Sequence, residues 1–194
     1  MLSLFFYCEK INAQYSVRAS YIKPSGIFGY TFKPTVEAEI AFVDGEIDSK
    51  FRFGFSIGYY SLTARQDTFF SYGIRNGSVY LPAYSIWNSY KALPLALNLD
   101  YKILDKRFSP ILGLDGVITL VDYKYISDLN SSYHKDVTGG TVTGGFITRV
   151  GLQYELSDNF LIATSFGKNF GLDFKTMDAN NIWKMQLGIV YYPN

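Results

Sequence analysis

Side chains that carry rare chemistry are almost missing from this chain. It has one cysteine, Cys8, and one histidine, His134, in 194 residues. A lone thiol cannot close an internal disulfide, and one imidazole without cysteine partners cannot build a structural zinc site. No apolar run reaches about 18 residues, so no transmembrane helix is encoded. Neither charge sign is in surplus: 18 Lys and Arg against 17 Asp and Glu leave a net charge of +1. That excludes the basic stripe on which nucleic-acid binding depends. Gly139-Gly140 and Gly144-Gly145 are not followed by Lys-Ser or Lys-Thr, so they form no phosphate loop. No cofactor or metal is expected.

Aromatic residues are abundant, with 17 Tyr and 16 Phe beside 17 Gly and only six Pro. This composition favours strands and tight turns over helices. Period-two alternation runs through the chain. Trp183, Met185, Leu187, Ile189 and Tyr191 take one face of the last segment, and Lys184, Gln186, Gly188 and Val190 the other. Leu93 to Ile103, Phe146 to Tyr154 and Phe51 to Tyr59 split in the same way. The pattern predicts strands at 15–24, 32–43, 49–64, 91–104, 107–124, 141–156, 159–170 and 181–192. Connections between them alternate long and short, with short turns at 44–48, 105–106 and 157–158. Arg75-Asn76-Gly77, between two strand-like runs, predicts that the longest loop rises as a β-finger. Pro94 falls inside the fourth strand and is expected at a bulge or a rim position.

One aromatic per strand sits at the end carrying the short turns: Tyr15, Phe42, Phe51, Tyr101, Phe108, Tyr154, Phe160 and Tyr191. A membrane–water interface selects such a level ring, because Tyr and Phe suit a boundary that is apolar on one side and wet on the other. The opposite face carries ten charges of balanced sign: Arg18, Arg52, Lys102, Arg149 and Lys184 against Glu37, Glu39, Asp100, Asp115 and Glu155. Each Lys or Arg turned toward lipid at mid-bilayer would cost about 2–4 kcal/mol. In water, the unbroken apolar rows would expose far more than the few hundred Å² that a monomer tolerates. Lipid outside and charges inside satisfy both constraints, and the sheet must then close because lipid offers no hydrogen bonds. The fold class is therefore all-β, an eight-stranded antiparallel up-and-down transmembrane barrel with short periplasmic turns and long outer loops. Eight strands leave a lumen filled by its own side chains, so the ten charges are expected to interlock as a structural ion network.

Leu2–Tyr7 followed by Asn12-Ala13-Gln14 reads as the end of a secretory signal, giving a signal remnant at 1–14 and a barrel at 15–194. Cleavage there would remove Cys8.

Leu93-Pro94-Leu95 leading to Asp100-Tyr101-Lys102, then Arg107-Phe108-Ser109-Pro110 and Gly113, resembles the small outer-membrane barrel ("porin") family common in Bacteroidota, akin to OmpX and the OmpA barrel. The resemblance implies an integral bacterial outer-membrane location and a fold. It implies no single activity, since members range from structural barrels to adhesins and subunits of larger complexes. Barrels of this kind end on an aromatic residue, whereas here Pro193 and Asn194 follow Tyr192.

Catalytic candidates are confined to the third outer loop, where His134 lies near Ser131, Ser132 and Asp136, as a lipid A deacylase-like barrel would use. Asn130–Asp136 also reads as a loop tip, where Ser, Asp and Asn serve turns. Phe69, Phe70, Tyr72, Tyr80, Tyr84 and Trp87 cluster in the longest loop and are candidates for contact with another outer-membrane or surface protein, or a glycan. The expectation is a non-enzymatic barrel with a structural or surface-interaction role, in contact with outer-membrane lipid and open to membership of a larger complex. The alternatives are a lipid A-modifying hydrolase and a narrow channel.

Overall fold

A strand whose successive side chains differ in polarity has one row to hide and one to leave outside. Curling the sheet into a ring hides the charged row without a second layer. The computed structural model, which describes residues 14–44, 49–66, 68–75, 78–128, 134–172 and 181–193, has this form. Its strands are β1 (Gln14–Pro24), β2 (Thr35–Asp44), β3 (Phe51–Leu62), β4 (Phe69–Arg75), β5 (Ser78–Lys102), β6 (Phe108–Asp128), β7 (His134–Ser157), β8 (Phe160–Leu172) and β9 (Ile182–Tyr191). Antiparallel pairing runs β1-β2-β3-β5-β6-β7-β8-β9, and β9 returns to β1, closing an eight-stranded up-and-down barrel. Strand β4 stands outside the ring and, among the described residues, pairs with β5 alone.

Burial alternates without a break along all eleven residues of β1, and the split expected for β9 is the observed one. Met185, Leu187 and Ile189 are exposed while Lys184, Gln186 and Val190 are buried. The ring of aromatics is also present. Tyr15 pairs in register with both Phe42 and Tyr191, Phe51 with Tyr101, Phe108 with Tyr154, and Phe160 with Tyr191. Edge-on or tilted ring contacts of 4.9–5.6 Å join Tyr15 to Phe42, Phe51 to Tyr101 and Phe160 to Tyr191.

The structure differs from expectation chiefly in length. Strands β5, β6 and β7 run 25, 21 and 24 residues, well past the 9–11 that cross a bilayer. The finger forms as a hairpin of β4 with the start of β5, but it continues the barrel wall rather than leaving it. A bulge between Trp87 and Ser89 obscured that continuity, because the extra Asn88 shifts the alternation by one residue. Pro94 sits in register instead of in a bulge. It faces Thr119 on β6, while the ladder to β3 skips from Ile57–Leu95 to Tyr60–Ala92 without slipping. Proline has no N–H for that ladder, and Gly58 opposite leaves room for its ring: a Cβ there would lie 3.1 Å from Pro94 Cγ.

Between β1 and β2 the expected loop contains a six-residue helix, α1 (Gly26–Thr31), so β2 starts at Thr35 rather than at 32. Gly26 takes φ +62°, the left-handed region that glycine enters freely, to turn the chain from strand into helix. Ser25 anchors this turn, donating from its backbone N–H and its hydroxyl to the Asn181 carbonyl at 2.9 and 3.0 Å.

Candidate functional site

All ten charges singled out by their phase lie inside the barrel, and they sort into linked groups. Arg149 on β7 is a hub. Its Nε and Nη2 donate to the two carboxylate oxygens of Asp115 at 2.7 and 2.6 Å, and Nη2 also reaches Asp100 at 2.9 Å. Asn98 Nδ2 donates to the same Asp115 oxygen at 2.9 Å. A second group spans the seam where β9 meets β1. There Lys184 lies 2.7 Å from Glu37 and 2.6 Å from Glu39, and Arg18 lies 2.9 Å from Glu39. At the short-turn end Lys102 pairs with Glu155 at 3.0 Å, and Arg52 donates to Tyr192 Oη at 2.9 Å and to Gln153. Five basic and five acidic side chains therefore share the lumen with their charges matched.

Toward the long-connection end the lumen becomes apolar. Ile22, Phe32, Tyr60, Leu62, Tyr90, Ala92, Val121 and Ile182 form one buried cluster, with Phe28, Trp87 and Tyr123 packed against it. Phe32 makes edge or tilted contacts with Phe28, Trp87 and Tyr90 at 5.0–5.3 Å. Helix α1 presents Phe28 to Tyr90 at 5.4 Å and so closes this end. The bulge at Asn88 makes the closure possible: it returns Trp87 and Tyr90, three residues apart, to the lumenal side. Two spaces lined by lumenal side chains measure about 20 Å³ each, room for about one water apiece.

This plug was not anticipated, although its signal was in the sequence. The lumenal phase of several strands turns apolar at one end, at Ile22 in β1, Tyr60 and Leu62 in β3, Ala92 in β5, Val121 in β6 and Ile182 in β9. Trp87, placed by the sequence among residues for contacting a partner, belongs to the plug, half-buried and 4.8 Å from Tyr125.

Beyond the plug, β4, β5, β6 and β7 form a four-stranded wall on one side of the barrel. Tyr84 pairs with Asp128, and Asp128 with His134. Phe69, Phe70, Tyr72, Tyr80 and Tyr84 lie on its β4–β5 hairpin by backbone, and their side chains fall outside the described residues. Asp136, expected in a loop tip, lies in β7 opposite Ile126, and its side chain is exposed. His134 begins the same strand opposite Asp128. Ser131, Ser132 and the His134 side chain fall outside the described residues, as does the segment 1–13 that contains Cys8. Among the described residues no group of three or more His, Cys, Asp or Glu is placed to hold a metal ion.

No family model matches the chain, and no curated protein does. Among solved structures the chain is similar to Neisserial surface protein A, with a TM-score of 0.54 at 14% identity over 94% of this chain and 97% of that one. A major outer membrane protein from Thermus thermophilus aligns with a TM-score of 0.55 at 12% identity, covering 92% and 98% of the two chains. The N-terminal β-barrel domain of Pseudomonas aeruginosa OprF aligns with a TM-score of 0.50 at 12% identity, covering 92% and 96%. At these identities the likeness is one of fold: the chain has the small, closed barrel that these outer-membrane proteins share.

Proposed function

We propose that this chain is a non-enzymatic integral protein of the bacterial outer membrane that acts through its outer surface and not through its lumen. The observation that carries this reading is the division of the barrel into a filled interior and a one-sided external wall. The interior is occupied from end to end by matched charges and then by the aromatic plug. Strand β5, its barrel-wall part included, is roughly 80 Å long at about 3.3 Å per residue, far more than membrane crossing requires, and the excess lies in the external wall. A wall of that length costs conformational entropy to order, which a merely structural barrel has no need to meet. The aromatic hairpin at its tip is the surface offered to another membrane or surface protein, and the barrel then serves as the anchored subunit of a larger complex.

The test compares the whole chain with a variant in which residues 69–84 are replaced by Asn-Gly. Native mass and composition are measured on tagged protein from gently solubilised outer membranes, with planar-bilayer recordings on the purified barrel. The full chain should carry a stoichiometric partner that the shortened barrel loses, and neither should give conductance steps. Stable ion steps from the full chain, or a partner retained undiminished without the finger, would overturn the reading.

A further inference from the structure

Lipid-facing rows of a barrel should be free of charge through the bilayer. Those of β1, β8 and β9 are free of it except at Lys23 and Lys168. Both are register partners of one residue, Trp183: Lys168 from β8 and Lys23 from β1. Adjacent strands lie about 4.8 Å apart, which sets the two lysine backbones about 10 Å apart, within reach of one small headgroup. Each of the three residues stands eight positions from the aromatic ring, at Phe160, Tyr15 and Tyr191 respectively. Eight residues of a tilted strand rise about 20 Å, which brings this trio to the far edge of the apolar band.

Lys168 is held in place. Its Nζ lies 5.1 Å from the ring centroid of Phe170 and 5.1 Å from that of Trp183. Beside it is an open groove of about 480 Å³ on the outer face. Thr148, small among large neighbours, lies opposite Lys168 in the register. Phe166 stacked on Trp183 at 5.2 Å and Phe146 stacked on Phe170 at 5.3 Å fix the rings around it. Val150, opposite Phe166, continues the groove toward mid-bilayer. An ammonium beside an apolar trough at interface height calls for an amphiphile with a negative head.

We propose that this groove binds one acyl chain of an anionic, phosphate-bearing membrane lipid whose headgroup is held between Lys168 and Lys23. The proposal rests on the membrane reading above. The ring faces of Phe170 and Trp183 keep the Lys168 head at the rim, and the phosphate supplies the hydrogen-bond acceptors that aromatic rings lack.

The purified barrel in detergent would be offered phosphatidylglycerol or phosphatidylcholine, and bound lipid read by native mass spectrometry. The expected result is one phosphatidylglycerol per barrel in clear preference to phosphatidylcholine. Lys168→Gln and Lys23→Gln should each weaken binding by about fivefold, the effect of one basic residue near an anionic lipid surface. Thr148→Trp, which fills the groove and leaves both charges, should displace the lipid. Equal binding of the two lipids, or undiminished phosphatidylglycerol in the double lysine variant, would overturn the site. A barrel that is monomeric and soluble without detergent would overturn the membrane reading and the site together. One that needs detergent but does not discriminate lipids overturns the site alone.

Discussion

Arg149→Met should destabilise the folded barrel by about 3–5 kcal/mol, the range for removing one partner of a buried ion pair. Methionine nearly fills the space, so the loss comes from charge and hydrogen bonding. Asp115 would lose two donors and Asp100 one, while both carboxylates remain enclosed. Arg149→Lys keeps the charge but cannot make the two-pronged contact with Asp115, and should fall between wild type and Arg149→Met. Adding Asp115→Asn to Arg149→Met should recover part of the loss, because the neutral amide is less costly to leave beside methionine. Urea unfolding of the barrel in lipid vesicles, read by tryptophan fluorescence, gives these differences. A change below 1 kcal/mol for Arg149→Met would mean that the lumen is wet enough to solvate the stranded carboxylates.

Leu187→Arg should cost about 2–4 kcal/mol in the same measurement, for the opposite reason. Leu187 points outward, 59% exposed, four residues from the Tyr191 girdle and so near mid-bilayer. An arginine there meets hydrocarbon, whereas in a water-soluble barrel the same change would be neutral or would improve solubility. Leu187→Phe, equally bulky and apolar, should leave stability within about 0.5 kcal/mol. A neutral Leu187→Arg would indicate that this face does not meet lipid.

The parts of this fold that were legible in the sequence are those in which each residue answers to one partner medium. Lys184 alternating with Met185, or Asp100 with Leu99 and Tyr101, reports its face directly, because lipid and lumen impose opposite polarity on neighbouring positions. The aromatic ring was legible for the same reason: an interface acts on every strand at one height. What stayed hidden depended on departures from alternation. Asn88 in the bulge broke the phase of β5, so the strand seemed to begin at 91 and its continuity with the finger was lost. Helix α1 is too short to show a helical period, and its role as a lid follows only from Phe28 and Phe32 meeting Tyr90, some sixty residues away. Lys168 was masked by its surroundings, since a single lysine near a strand end reads as rim until the register sets it and Lys23 on either side of Trp183.

The assignment of the charges to the lumen depends on which side of the strands meets lipid, and β9 reports this residue by residue. Single cysteines at Met185, Gln186, Leu187, Ile189 and Val190, in a chain carrying Cys8→Ser, would be spin-labelled and the barrel placed in a phospholipid bilayer. Collision rates with dissolved oxygen, which concentrates in hydrocarbon, should be high at 185, 187 and 189 and low at 186 and 190. The same rates at all five positions, or high values at 186 and 190, would contradict a barrel with its charges inside and lipid outside.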